Sequence, residues 1–426
     1  MLNMGIGSDS VTNKELSVTQ NMLWNSIGSL TYLGCQWLLG VLIVRLSTGF
    51  DAAGVYSLAY SVYAIFAPIG QYRMYTYQVS DVTNENTTGE YFSFRIITNA
   101  IAFVLCMGYA FLTCSSEAWL AVFLYALYKL AMLMIDVFHA CDQRNHRMDY
   151  MGKSLALQGV GTLAVFAVVF ALTQSLELTL LGMTLITAII GVFYDYPRTR
   201  QFGPIRPGIS LAKTKYLLLH CLPIVLAGLA VSATPSLPRQ YLAEAMGNAA
   251  LGVYTSVAAP VTIIQMGASY IYNPLLGYFS ELFAKGDKKG FLKLFAKSLA
   301  AIAVIGFLCA IALNLVGTDL LVLVFGEGIR EGTDLLMPLI VLAIFTGCQW
   351  FLNDTLIAIR DFNGTFVSCV LSLAIALVGA RPCIAAFGAN GVTIIGLLAC
   401  VPGILIMVVY MALDLSGRRV PNSSAR

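Results

Sequence analysis

The chain has 426 residues, 58% of them hydrophobic and only 11% charged, with a formal net charge of +3. Soluble domains carry roughly a quarter charged residues, so this sequence has too few to solvate a globular surface of its size. The apolar residues fall in blocks of about 20, the length a helix needs to cross ~30 Å of hydrocarbon, and continuous runs such as Ala300 to Ala312 exclude the short alternating strands of a β-barrel.

Residues 1–21 are polar and lack the pattern of a removable signal peptide, so the first apolar block is expected to stay in the protein. In chain order the blocks place helical spans near 22–44, 54–78, 96–114, 118–138, 155–173, 178–196, 216–235, 251–276, 298–316, 335–357, 364–380 and 391–413. The expected fold is an all-α polytopic membrane protein of twelve transmembrane helices. The basic stretch 198–215 divides it into a first lobe at 22–197 and a second at 216–414, with a tail at 415–426. Pro197, Pro204 and Pro207 predict a non-helical linker there.

Twelve spans put both termini on one side of the membrane, and cytoplasmic loops concentrate Lys and Arg. With the N-terminus inside, the inner segments hold nineteen cations, among them Lys14, Arg95, the five of the linker, Lys285 to Lys297, and Arg418, Arg419 and Arg426. The outer segments hold four, Arg45, Arg239, Arg330 and Arg381; Arg73 and Lys129 fall within spans. This asymmetry predicts cytoplasmic termini and a cytoplasmic linker.

The halves also repeat. Asp51-Ala-Ala-Gly54-Val-Tyr56-Ser57 opens the second span and Asn248-Ala-Ala-Leu-Gly252-Val-Tyr254-Thr255 the eighth, each after a span ending near an arginine, Arg45 or Arg239. Ten scattered cysteines without a CxxC pair read as small apolar fillers. His139, Cys141 and His146 fit no structural zinc spacing.

The stretch Arg45 to Tyr56, its second copy from Arg239 to Tyr254, and the basic loop Asp142-Gln-Arg144-Asn-His-Arg147 before Gly152 resemble the bacterial polysaccharide (O-antigen type) flippases. These belong to the multidrug/oligosaccharidyl-lipid/polysaccharide exporter superfamily. The resemblance implies two six-helix lobes around a central cavity that opens alternately to each side of the bacterial inner membrane. It implies as cargo an undecaprenyl-diphosphate-linked oligosaccharide, turned over from the cytoplasmic to the outer leaflet without a cofactor. Membrane lipid, a polysaccharide polymerase and glycosyltransferases are the implied partners, and nucleic acid is not among them. Multidrug exporters of the same superfamily are the first alternative, although those place a carboxylate in the first span, which here has none. A membrane polymerase or ligase is the second, and the longest outer connection expected, about 317–334, is short for such a site.

An anionic diphosphate and polar sugars require a polar, preferably cationic lumen. Lys129 is the leading candidate, about ten residues from either end of the fourth span and therefore near the bilayer midplane. Facing lipid there would cost at least ~2.5–3.5 kcal/mol. Arg73, among tyrosines near the cytoplasmic end of the second span, is either a phosphate ligand at the cavity mouth or an interfacial anchor. Tyr56, Tyr60 and Tyr63 form one helical stripe that stacks on sugars or packs. Gln265, Asn273, Gln349 and Asn353 are further lumenal candidates. Asp136, read as a solvated interfacial carboxylate, and Asp354 are candidate ion-coupling groups. Arg45 and Arg239 are candidate outer-gate residues or plain anchors.

Overall fold

The structure, a computed structural model, describes residues 16–81 and 85–416. Twelve helices among the described residues are long and apolar enough to cross a membrane: Thr19–Leu46, Asp51–Ser80, Thr88–Thr113, Ser116–Arg144, Met148–Thr173, Leu176–Phe202, Leu211–Met246, Asn248–Ser269, Lys288–Phe325, Glu327–Ala358, Phe362–Phe387 and Asn390–Ser416. Each overlaps one span expected from the sequence, and the protein is a multi-pass all-α membrane protein. Most of the expected N-terminal segment, with Lys14, and most of the tail, with Arg418, Arg419 and Arg426, lie outside the described residues.

The helices form two sets of six. In the first, the first span packs chiefly on the fifth, the fifth on the sixth, and the second and third on the fourth; in the second, the eleventh packs on the twelfth and seventh, and the eighth on the tenth. The sets meet where the second span crosses the seventh and eighth. Twelve crossings return the chain to the face it started from, called here the terminal face, opposite the far face.

Several helices run beyond their apolar blocks, because charged residues leave the hydrocarbon without leaving the helix. The ninth starts at Lys288, capped by Asp287 accepting from the Gly290 amide, and ends at Phe325. Lys288, Lys289, Lys293 and Lys297 are therefore helical. The long outer loop expected at 317–334 is replaced by helix to Phe325, Gly326 at φ 94, and a 3-10 segment, Glu327–Leu335. Nor does helix stop at Pro197. A π-helical turn, Gly191–Asp195, precedes it, and helical structure continues to Phe202, so the linker lacks helix only from Gly203 to Ser210. Pro197 stands just beyond the π-turn, where the wider ladder has already shifted the hydrogen-bond register.

The two copies of the repeated motif meet each other at the far face. A Cβ on Gly54 would overlap the Asn248 carbonyl, and one on Gly252 the Phe50 carbonyl. This close crossing is what both glycines permit. Beside it the Ser57 and Thr255 hydroxyls lie 2.9 Å apart.

In a background without the native cysteines, Ser57→Cys with Thr255→Cys should therefore form a disulfide on mild oxidation, read as a mobility shift on gels. Adding Gly54→Leu should abolish it; an undiminished yield would show that the crossing does not need the glycine.

Candidate functional site

The second span is not continuous. Its helix ends at Gln71, Tyr72 and Arg73 adopt left-handed φ values of 44° and 56°, and a short helix resumes at Met74. The break falls four residues beyond Pro68, whose carbonyl accepts from the Tyr72 amide. Carbonyls released by a break inside a membrane need a donor from the protein, and Arg95 is that donor. It is fully buried, with Nη1 2.7 Å from the Gly70 carbonyl and 2.6 Å from that of Gln71, while Nη2 lies 3.6 Å from Asp136 Oδ2. Thr98 adds a 3.0 Å bond to the Gly70 carbonyl.

The sequence places Arg95 in an inner segment, and the structure does not. Its helix begins earlier, at a capping box in which Thr87 and Glu90 exchange bonds with each other's backbone. That start draws Arg95 two turns into the bundle. Asp136, expected to be simply solvated, is the counter-ion of this arginine, with its side chain one-third exposed. Arg73 is exposed at the break, beyond the buried Tyr72.

Lys129 sits where the first, second and fourth spans meet. Its Nζ lies 4.9 Å from the ring centre of Tyr128, 5.6 Å from that of Tyr125 and 3.9 Å from Met132 Sδ. No carboxylate pairs with it among the described residues. Tyr125 is buried beneath the tyrosine stripe, edge-on to Tyr56, Tyr60 and Tyr63 at 5.3, 6.3 and 6.0 Å. The stripe thus divides: Tyr63 is packed at 7% exposure and Tyr60 is open at 45%. Gln36 Nε2 reaches the Tyr128 hydroxyl at 3.5 Å, tying the first span to the shelf. A cation over aromatic faces is attracted by their quadrupoles, and this one is partly exposed.

The remaining candidates are dispersed. Asp354 accepts from the Tyr272 hydroxyl at 2.8 Å and the Asn353 amide at 3.3 Å. Gln265 is half-buried, and Asn273 is exposed in a 3-10 turn, Asn273–Leu275, just beyond the eighth span. The Gln349 amide lies against Gly403, where a Cβ would come within 2.9 Å of its nitrogen. Arg45 donates to the carbonyls of Val324 at 2.7 Å, Val322 at 3.4 Å and Leu323, capping the ninth helix and joining the two sets at the far face. Its counterpart Arg239 is half-buried near Tyr254. His139 turns to Asp195, Cys141 takes the Thr88 hydroxyl, and His146 is exposed, so these three do not converge.

No family model matches the sequence. The chain is 24% identical over 342 residues to the capsular polysaccharide biosynthesis protein CapF of Staphylococcus aureus, covering 79% of this chain and 85% of that one. Among solved structures it superposes on the inward-facing conformation of a multidrug resistance MATE family transporter of the MOP superfamily with a TM-score of 0.69. Identity there is 14%, with coverage of 94% of this chain and all of the other. The lipid II flippase MurJ in an inward closed conformation gives 0.71 at 8% identity, over 93% and 89% of the two chains. The fold is therefore that of the MOP transporters.

Replacing Arg95 by Ala strands two carbonyls and Asp136, and the loss of one partner of a buried pair typically costs about 3–5 kcal/mol. Arg95→Ala should lower the thermal unfolding midpoint strongly. Combined with Asp136→Asn, the loss should be less than the sum of the two single losses. Strict additivity would show that the two residues do not share one interaction.

Proposed function

We propose that this protein is a flippase that carries a polyprenyl-diphosphate-linked oligosaccharide from the cytoplasmic to the outer leaflet of the bacterial inner membrane, for assembly of a surface polysaccharide. The observation that carries the reading is Lys129: an ammonium near the middle of the fourth span, without a carboxylate partner among the described residues, on a shelf of tyrosines. A permanent structural cation at that depth would normally be paired. An unpaired one fits an anion that arrives and leaves. In this reading Lys129 holds the diphosphate in the lumen between the lobes, Tyr60 offers an open face to a sugar ring, and the prenyl tail stays in lipid.

Arg73 is the capture residue at the cytoplasmic mouth, since a cation set at a helix break can follow a phosphate without dragging a whole span. The far-face contacts of Arg45, Gly54 and Gly252 form the outer gate, closed in this structure, and Arg239 belongs to the same rim. Both termini and the linker are cytoplasmic, and the linker tethers two lobes, 22–197 and 216–414, that rock against each other. Asp354, hydrogen-bonded in the second lobe, is held as a coupling carboxylate. The likeness to a capsular polysaccharide biosynthesis protein supports a glycan cargo, and the MurJ-like fold supports a lipid-linked one.

In proteoliposomes containing a lipid-diphosphate oligosaccharide accessible to a membrane-impermeant glycosidase, Lys129→Ala should reduce translocation at least tenfold, and Lys129→Arg should retain part of it. Full activity of correctly folded Lys129→Ala would remove the lysine from the mechanism. Drug sensitivity with a normal surface glycan in cells lacking the protein would point to drug export instead.

A further inference from the structure

Below Asp136 the fourth span carries a second group of ionisable side chains that the proposed cargo path does not use. His139 and Asp142 are 4% and 0% exposed, and Asp195, at 1%, faces them from the sixth span. His139 Nε2 is 3.5 Å from Asp195 Oδ1. The other Asp195 oxygen accepts from Ser154 Oγ at 2.9 Å, which itself accepts from Gln158 Nε2 at 3.0 Å. Asp195 ends the π-helical turn of Gly191–Asp195. Such turns are rare and gather at functional sites; this one directs a carboxylate into the bundle.

The neighbouring charges are matched one by one, except at Asp142. Asp136 has Arg95. Asp149 has Arg147 at 2.8 Å and Lys153 at 3.5 Å, whereas Asp195 faces His139 at 3.5 Å with neither Asp195 Oδ1 nor His139 Nε2 hydrogen-bonded, a pair of charges only when the imidazole carries a proton. Arg144 lies 3.8 Å from Asp81. Among the described residues both carboxyl oxygens of Asp142 are buried without a hydrogen-bond partner, as is the hydroxyl of Tyr194 on the sixth span. The groups facing the cluster are Tyr75 from the second span, Asp136, Cys141 and Arg144 from the fourth, Arg147, Asp149 and Lys153 at the start of the fifth, and Tyr194 and Arg198 from the sixth. Their cations are engaged with other carboxylates or, for Arg198, with the Tyr194 carbonyl and ring.

We infer that His139, Asp142 and Asp195 form a buried proton-binding site inside the first lobe, reached from the lumen through the partly exposed Asp136. An unpaired carboxylate closed off from water is costly, and a single proton removes that cost. The proton is taken up at Asp142, with His139 as the adjacent relay on the same helix face toward Asp136. When it leaves, the cluster carries one more negative charge, which must find water. The sixth span or the terminal half of the fourth must then give way, and Arg95 ties that movement to the break in the second span. The site is a property of this chain whatever its cargo.

Infrared difference spectra between acidic and alkaline buffer, recorded on the full-length protein in nanodiscs, test it. The wild type should show a titrating protonated-carboxyl band at the high frequency of a C=O without a hydrogen bond, separate from the band of the exposed carboxyls. Asp142→Asn, nearly isosteric with the neutral acid, should lose it, and His139→Gln should move its midpoint by about one pH unit or more. Disulfide yield in the Ser57→Cys/Thr255→Cys protein should vary with pH beyond what thiol ionisation alone gives, and with Asp142→Asn added only the thiol's own pH profile should remain. A band that survives in Asp142→Asn, a wild type without one, or a pH profile unchanged by that substitution would overturn the inference. Neither readout uses a lipid-linked sugar, so failure here is separate from failure of the flippase reading.

Discussion

A break in a membrane helix exposes carbonyls that hydrocarbon cannot solvate, and the guanidinium of Arg95 is what allows the second span to be broken. One planar group bonds the carbonyls of Gly70 and Gln71 and balances Asp136. Lysine, with a single point charge, could not span these partners in the same way. The second span is also the one that crosses both the seventh and the eighth. The break therefore lies in the helix that packs on both sets of six, and it is held by a residue of the third span and a carboxylate of the fourth.

The fourth span organises chemistry along its length. At mid-depth Lys129 rests on Tyr125 and Tyr128; toward the terminal face Asp136, His139 and Asp142 follow at spacings of three residues. The two regions differ in how they handle charge. Lys129 is partly buried with two aromatic rings beside it. His139 and Asp142 are closed off, so they suit the smallest ligand available. Asp136, paired and partly exposed, stands between them.

At the far face the two copies of one motif have become a single contact. Gly54 and Gly252 each admit a backbone carbonyl from the other copy's lead-in, and Ser57 meets Thr255. Arg45 and Arg239 do not share this symmetry. Arg45 caps the end of the ninth helix through three carbonyls, whereas its counterpart stays near Tyr254. A repeat inherited as sequence is thus kept where close backbone approach demands glycine and relaxed where a long side chain can choose its acceptor.

The number and order of the spans were legible in the sequence because a membrane helix satisfies its own backbone and needs only a local run of apolar residues. Lys129 was legible for a related reason, since a lone charge in such a run has no local explanation. Helix ends were less so: Lys288 to Lys297 and the 317–325 stretch are helical beyond the apolar blocks, and hydropathy is silent about helix in water. The roles of Arg95, Asp136 and the His139–Asp142–Asp195 cluster were decided only by tertiary packing. Arg95 looked like a loop cation until its helix was docked beside a break 24 residues earlier in the chain. Asp195 meets Ser154 across 41 residues, through a π-turn that no sequence periodicity announces. Local chemistry determines where a helix can cross; which buried charge meets which is settled when the helices meet.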